Sequence, residues 1–248
     1  MEKSQLVLLE KKDNVYYLGL NRQKANNFNV EFIREINAKL DIVEKDVEIC
    51  ALVTSSNVQR FFSTGLDAKF ISSVNHPEDL KNFLIEFNQL IGRVLVFPIP
   101  TIAILNGLTI AGGLMFAMAH DYRFMANSED WVCLNEVDMG FALLPGMNAV
   151  IQCKLAPHAF RELFLAGRRI IAKDAFELGI IDFLVDDKTK IREQVHDFAN
   201  KIAEKSKFKE NFKALKMEAY GTAFTKATDR KFGSNKAGLE RIMSLASL

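Results

Sequence analysis

No charged side chain occurs between Val94 and Ala119, and a run of that length has to be buried in lipid or in protein. A membrane-spanning helix needs about 20 consecutive apolar residues. Here Pro98 and Pro100 stand near the start of the run, Asn106-Gly107 in its middle and Gly112-Gly113 beyond that. These residues divide it into a buried strand, a turn and a buried helix, each too short to cross a bilayer. No membrane span is expected. The chain must instead supply a core that covers a strand on both faces, and 248 residues, 49% of them hydrophobic, are enough for one.

Charge narrows the choice further. Lys and Arg number 32 against 31 Asp and Glu, a net charge of +1, whereas a duplex-binding protein needs a basic excess to displace phosphate counterions. No nucleic-acid partner is expected. The three cysteines, Cys50, Cys133 and Cys153, lie in apolar settings and read as reduced core residues of an intracellular protein. The first residues lack the apolar stretch of a secretory leader. Localisation is cytoplasmic by default, with peroxisome or mitochondrion open, since the final Ala246-Ser247-Leu248 lacks the basic middle residue of a peroxisomal address.

Strands and helices alternate along most of the chain. Leu6–Glu10 and Val15–Leu20 read as a hairpin around Asp13-Asn14. Phe32, Ile33, Ile36, Leu40 and Val43 recur at helical spacing, and Ile49–Thr54 reads as a strand buried on both faces. His76-Pro77-Glu78-Asp79 predicts a helix start. Ile99–Leu105, Tyr122–Met125, Trp131–Leu134 and Ile180–Val185 are further strands; Phe160–Leu165 and Ala172–Leu178 are short helices. The class is α/β. Beyond Asp187 the pattern is helical only, with a basic excess for which a solvated face is the commoner explanation. The division is a core over 1–187 and a helical region over 188–248.

Phosphate-loop, dinucleotide-binding, HExxH and CxxC patterns are absent, and the four histidines have no metal-ligand spacing. No metal is expected. His120, beside Asp121, reads as a helix-end residue favoured by the dipole. Three segments remain. Ser63-Thr64-Gly65-Leu66-Asp67 is a small-residue turn, fit either for close approach of a ligand to the main chain or simply for a helix start capped by Asp67. Ala111-Gly112-Gly113 opens an apolar helix. Glycines there either expose the first N–H groups to an anion or allow close helix–sheet packing. Asn135-Glu136 follows the apolar Trp131-Val132-Cys133-Leu134. A carboxylate delivered into a poorly hydrated place has its pKa raised toward values useful for proton transfer, although most glutamates after strands are solvated.

In this order the segments resemble the crotonase (enoyl-CoA hydratase/isomerase) superfamily. The resemblance is carried by NRQKANNFN at Asn21–Asn29, FFSTGLDAKF at Phe61–Phe70, PIPTIAILNGLTIAGGLMFAMAHDYRFMA at Pro98–Ala126 and LAGRRIIAKDAFELGIID at Leu165–Asp182. It implies a spiral of ββα units forming two sheets, followed by a C-terminal helical region that builds a homotrimer or a dimer of trimers. It implies an acyl-CoA thioester substrate, with coenzyme A part of the substrate and no separate cofactor. The backbone N–H groups of Leu66 and Gly112 would form an oxyanion hole. Ala25, Asn26, Asn27 and Phe28, with Ser63, Thr64, Gly65, Asp67 and Ala68, would wall the coenzyme A site, and Lys69 would approach its phosphates.

Hydratases of this family use two glutamates, and the first of those positions is Met115 here. A thioether neither orients water nor transfers protons. The segment HDYRFMANSEDWVCLNEVDMGF is similar to Δ3,Δ2-enoyl-CoA isomerases, which implies Glu136 as the single base, with Asn135 beside the acyl chain. Asp138 reads as structural. The alternatives are hydration or thioester hydrolysis using another acid, and a non-catalytic acyl-CoA binder.

Overall fold

The structure is a computed structural model that describes residues 5–230. Strands β1 (Val7–Lys12) and β2 (Val15–Leu20) form the expected antiparallel hairpin. Helix α1 (Val30–Lys45) follows, its amino end capped by Asn29, whose side chain accepts from the Phe32 N–H. Its buried face is Phe32, Ile33, Ile36, Leu40 and Val43, the residues spaced for it in the sequence. Next come β3 (Ala51–Ser56), β4 (Phe61–Ser63), α2 (Ala68–Ser73) and α3 (Pro77–Leu95). Pro77 sits at the start of α3, where its missing N–H costs nothing.

The charge-free run becomes β5 (Thr101–Leu105), β6 (Leu108–Ile110) and α4 (Gly112–Met118). After it lie β7 (Tyr122–Ala126), β8 (Trp131–Cys133), α5 (Pro145–Gln152), and α6 (Pro157–Phe160) running into a π-helical turn at Arg161–Leu165. The core closes with β9 (Ile170–Ile171), α7 (Ala172–Glu177) and β10 (Phe183–Val185). Helices α8 (Ile191–Ala203) and α9 (Lys209–Thr228) form the tail. Among the described residues no helix is long and apolar enough to cross a membrane.

Two sheets result. The six-stranded sheet runs β1-β2-β3-β5-β7-β10, parallel except for the opening hairpin. Alternate residues of its central strands serve two cores. Leu52 and Ala103 join the main core, while Ala51, Val53, Ile102 and Ile104 face Val195, Ala199 and Ala203 of α8. A strand covered on both faces has no polar side to show, which is why these runs are almost wholly apolar. The second sheet runs β4-β6-β8-β9, and β4, β6 and β8 are mutually parallel.

The described part of the helical tail packs against the core of its own chain. Phe198 packs among Tyr122, Phe124 and Phe183, and Lys216 of α9 pairs with Asp121 at 2.6 Å while donating to the Ile99 carbonyl. Phe208 and Leu215 remain exposed. The residues from 231 onward, including the final tripeptide, lie outside the described region.

Two expectations need correction. Cys50 and Cys133 are buried and free as expected, but Cys153 is exposed, because it follows the last turn of α5. His120 follows α4 just past its cap but is not a dipole-stabilised cation. It is fully buried, bonded to the Phe116 carbonyl and the Thr54 hydroxyl, each at 2.9 Å. Burial pushes its pKa down to about 4, so the ring is neutral.

Candidate active site

Three neighbouring parallel strands end on the same side of the smaller sheet, and each runs directly into one candidate segment. Strand β4 leads into Thr64-Gly65-Leu66, β6 into Ala111-Gly112, and β8 into Leu134-Asn135-Glu136. Parallel strands deliver their carboxyl ends to a common edge, where ligand sites of α/β proteins collect. Here that edge opens into a cavity of about 570 Å³ whose wall includes Asn27, Thr64, Leu66, Gly112, Met115, Asn135 and Glu136.

The two readings of the glycine segment turn out to be divided between its residues. A Cβ on Gly113 would come within 2.3 Å of the Ser63 carbonyl oxygen, so that glycine permits α4 to pack on β4. Gly112 faces the cavity, and a Cβ there would sit 3.4 Å from the Leu66 amide nitrogen. The Leu66 and Gly112 N–H groups thus lie side by side on the cavity wall. Neither is taken up by another group among the described residues. Ala111 precedes them at φ 52°, ψ −127°, a conformation that strains any residue with a side chain.

Leu66 is held from behind. It forms an isolated parallel bridge with Phe28, in which the Phe28 N–H donates to Gly65 and the Asp67 N–H donates to Phe28, both at 2.8 Å. The Thr64 N–H donates to the Ala25 carbonyl, and the Asn27 amide donates to the Thr64 hydroxyl at 2.7 Å. Asp67 caps α2, as the plain reading of its turn expects, by accepting from the N–H groups of Lys69 and Phe70.

Glu136 supplies the acid. It opens a turn closed by the Phe141 N–H on its carbonyl, and its side chain lines the cavity. The buried Oε2 has no hydrogen-bond partner among the described residues, nor does Oδ1 of Asn135. Desolvation pushes the Glu136 pKa up to about 7, although the group still accepts a bond from its own backbone. A largely buried carboxyl with one unbonded oxygen, half-ionised near neutrality and beside an open cavity, is the arrangement a general base requires.

A family model described as enoyl-CoA hydratase/isomerase matches residues 10–246. The chain belongs to that family. Among its relatives, a peroxisomal enoyl-CoA delta isomerase 2 of Arabidopsis thaliana is 31% identical over 180 residues, covering 70% of this chain and 75% of that protein. A probable enoyl-CoA hydratase of Bacillus subtilis is 29% identical over 194 residues, covering 77% and 74%. A solved structure of a probable enoyl-CoA hydratase from Mycobacterium tuberculosis superposes with a TM-score of 0.81 at 22% identity, covering 96% of this chain and 95% of that one.

Of the site residues that the enoyl-CoA hydratase/isomerase resemblance implied, Asn27, Thr64, Leu66, Asp67, Ala68, Lys69, Gly112, Asn135 and Glu136 line the cavity. Ala25, Asn26, Phe28, Ser63 and Gly65 are not among the residues that line it. Phe28 is a core ring packed on Phe32, Phe87 and Phe116. Asn26 is fully buried, donating to the Ser56 hydroxyl and the Phe62 carbonyl, and its own carbonyl accepts from Ser63. Asn26, Phe28 and Ser63 support the wall from inside. The sequence reading missed the opposite wall: Ile71, Phe141, Leu143 and Met147, with Met139 at the turn. Asp138 is exposed on the same turn, beside Gly167, and does not line the cavity.

Proposed function

We propose that this protein is a Δ3,Δ2-enoyl-CoA isomerase of unsaturated fatty-acid oxidation. The observation that carries the reading is that, among the described residues, Glu136 is the one carboxyl group lining the cavity beside the Leu66–Gly112 amide pair with a buried, unbonded oxygen, while Met115, 2% exposed, stands at the position where the resemblance has a hydratase's first glutamate. The other acid on that wall, Asp67, is committed to its ion pair and cap.

Coenzyme A would enter along Asn27, Thr64 and Asp67–Lys69, and its thioester oxygen would accept from Leu66 and Gly112. Ionised Glu136 would then remove a proton from C2. The electron pair of that C–H bond moves into the thioester as an enolate, with its charge on the oxygen between the two donors. Each such donor is worth about 2.7–4 kcal/mol in the transition state. Collapse of the enolate returns the same proton from Glu136 to C4, and the double bond moves from C3 to C2. Atoms and electrons balance without a redox step, so no cofactor beyond the substrate's own coenzyme A is called for.

Incubation with a 3-enoyl-CoA tests this. The expected product is the conjugated 2-enoyl-CoA with little 3-hydroxyacyl-CoA or free acid. Hydration of 2-enoyl-CoA at a rate comparable with isomerisation would replace the proposal with a hydratase reading. Binding without turnover would leave a non-catalytic acyl-CoA binder.

A further inference from the structure

The amide of Leu66 is backbone, so what aims it has to be sought in its neighbours. Arg22 lies between β2 and the loop behind the cavity, and its guanidinium reaches two groups at once. One nitrogen donates to the Asn27 carbonyl at 2.8 Å and another to Oδ2 of Asp67 at 2.6 Å. These are the residue before Phe28 and the residue after Leu66. Arg22 therefore spans the Phe28–Leu66 bridge diagonally, from one strand of it to the other.

The loop that carries Arg22 is itself pinned. The Arg22 N–H donates to Oδ1 of Asn26, and the Asn26 N–H donates back to the Arg22 carbonyl. Asn26 is tied in turn to Ser56 and Phe62. On the far side, Oδ1 of Asp67 accepts from two N–H groups of α2, which leaves Oδ2 for Arg22. Both charged side chains are mostly covered, at 18% and 15% exposure. A charge-assisted bond in that setting is stiff and directional. Plain stabilisation of a surface loop would not call for one guanidinium to hold both partners of the single bridge on which Leu66 sits.

We infer that the Arg22–Asp67 ion pair is a positioning device that holds the Leu66 N–H on the thioester oxygen. This rests on the reading of Leu66 as an oxyanion donor. Without the pair, the bridge keeps its two backbone bonds but gains freedom to slide. Small misplacements of a reacting group cost rate far more than they cost affinity, about a hundredfold for 1 Å.

The test uses the full chain with a saturated acyl-CoA labelled with 13C at the thioester carbonyl, read by infrared difference spectroscopy, together with steady-state isomerisation. In the wild type the bound carbonyl band is expected to be red-shifted by the two donors. Arg22→Gln should move it back toward the free frequency and lower kcat about ten- to a hundredfold, with KM within threefold. Arg22→Lys, able to reach one partner but not both, should fall between. Asp67→Asn retains an oxygen to cap α2 and removes only the charge, so it decides the matter if Arg22→Gln does not fold. A red-shifted wild-type band that both Arg22→Gln and Asp67→Asn preserve would overturn the inference and leave the isomerase reading intact. A raised KM with kcat and band unchanged would also overturn it, making Arg22 a coenzyme contact. A wild-type band without any red shift would overturn the donor assignment itself.

Discussion

A Cβ placed on Gly65 would stand 2.7 Å from the backbone nitrogen of Gly112. Gly65 also has φ +88°, where a side chain is strained whatever the space around it. Its lack of a side chain thus keeps a neighbouring amide open. Gly65→Ala should destabilise the fold by about 1–3 kcal/mol and, by covering the Gly112 N–H, lower isomerisation about 10²–10³-fold. Gly179→Ala is the control. Gly179 shares the positive φ, at +69°, but has nothing within 4 Å of such a Cβ. It should lose stability alone. Denaturant unfolding and kcat on both variants separate strain from obstruction.

Glu136→Gln preserves volume and a hydrogen-bonding tip but cannot accept the C2 proton. Isomerisation should fall about 10²–10⁴-fold, while acyl-CoA affinity, which depends on the other two strand ends, should change little. Titration with a saturated acyl-CoA beside steady-state rates makes the measurement. Activity within threefold of wild type would remove Glu136 from the mechanism.

The raised pKa of Glu136 has a direction in both activity and stability. If Glu136 is the base it works ionised, so kcat/KM should climb with pH along a limb centred near 7 and fall about tenfold per unit below it. Stability runs the other way. The folded chain holds this proton up to about pH 7, whereas an unfolded glutamate releases it near 4.5, so folding free energy is lost as pH rises through that window. Glu136→Gln, which has no charge to bury, should therefore be more stable than wild type at pH 8, by up to about 3 kcal/mol. The difference should vanish below pH 4.5. Denaturant midpoints at the two pH values provide the check.

Phe208 is 69% exposed and Leu215 60%, which is unusual for large apolar side chains on one short stretch of tail. Their burial between copies of the chain is the expected reason, in a trimer or a pair of trimers. Light scattering at micromolar concentration should return about three or six times the chain mass of 28.0 kDa. Phe208→Glu combined with Leu215→Glu should lower it. A monomer mass for the wild type would refute the assembly.

The sequence was most informative where a backbone requirement selected the residue. Gly65, Gly112 and Gly113 each answer to a conformation or a close approach, and those constraints mark the chain whatever surrounds them. The loop at 25–28 was read less well because it leaves a turn with Asn26 in the left-handed region, where side-chain directions follow no simple alternation. Asn27 reaches the cavity while Asn26 and Phe28 turn into the core. The far wall was not readable at all. Ile71, Phe141, Leu143 and Met147 are apolar residues on ordinary elements, and nothing in an apolar side chain distinguishes facing a cavity from facing a neighbour. The charge state of His120 was equally hidden, since it follows from complete burial, which packing from distant parts of the chain creates.

The bridge between Phe28 and Leu66, and the ion pair beside it joining residues 45 positions apart, also bear on how the molecule assembles. Helices such as α1 and α3 can form from contacts within a few residues. The cavity wall instead waits for loops of several dozen residues to close, and contacts of that separation form slowly. During refolding, helical signal should return before the chain can capture a thioester. Acyl-CoA binding should thus be a late event in the life of each molecule, and a sensitive report that the cavity has reached its final topology.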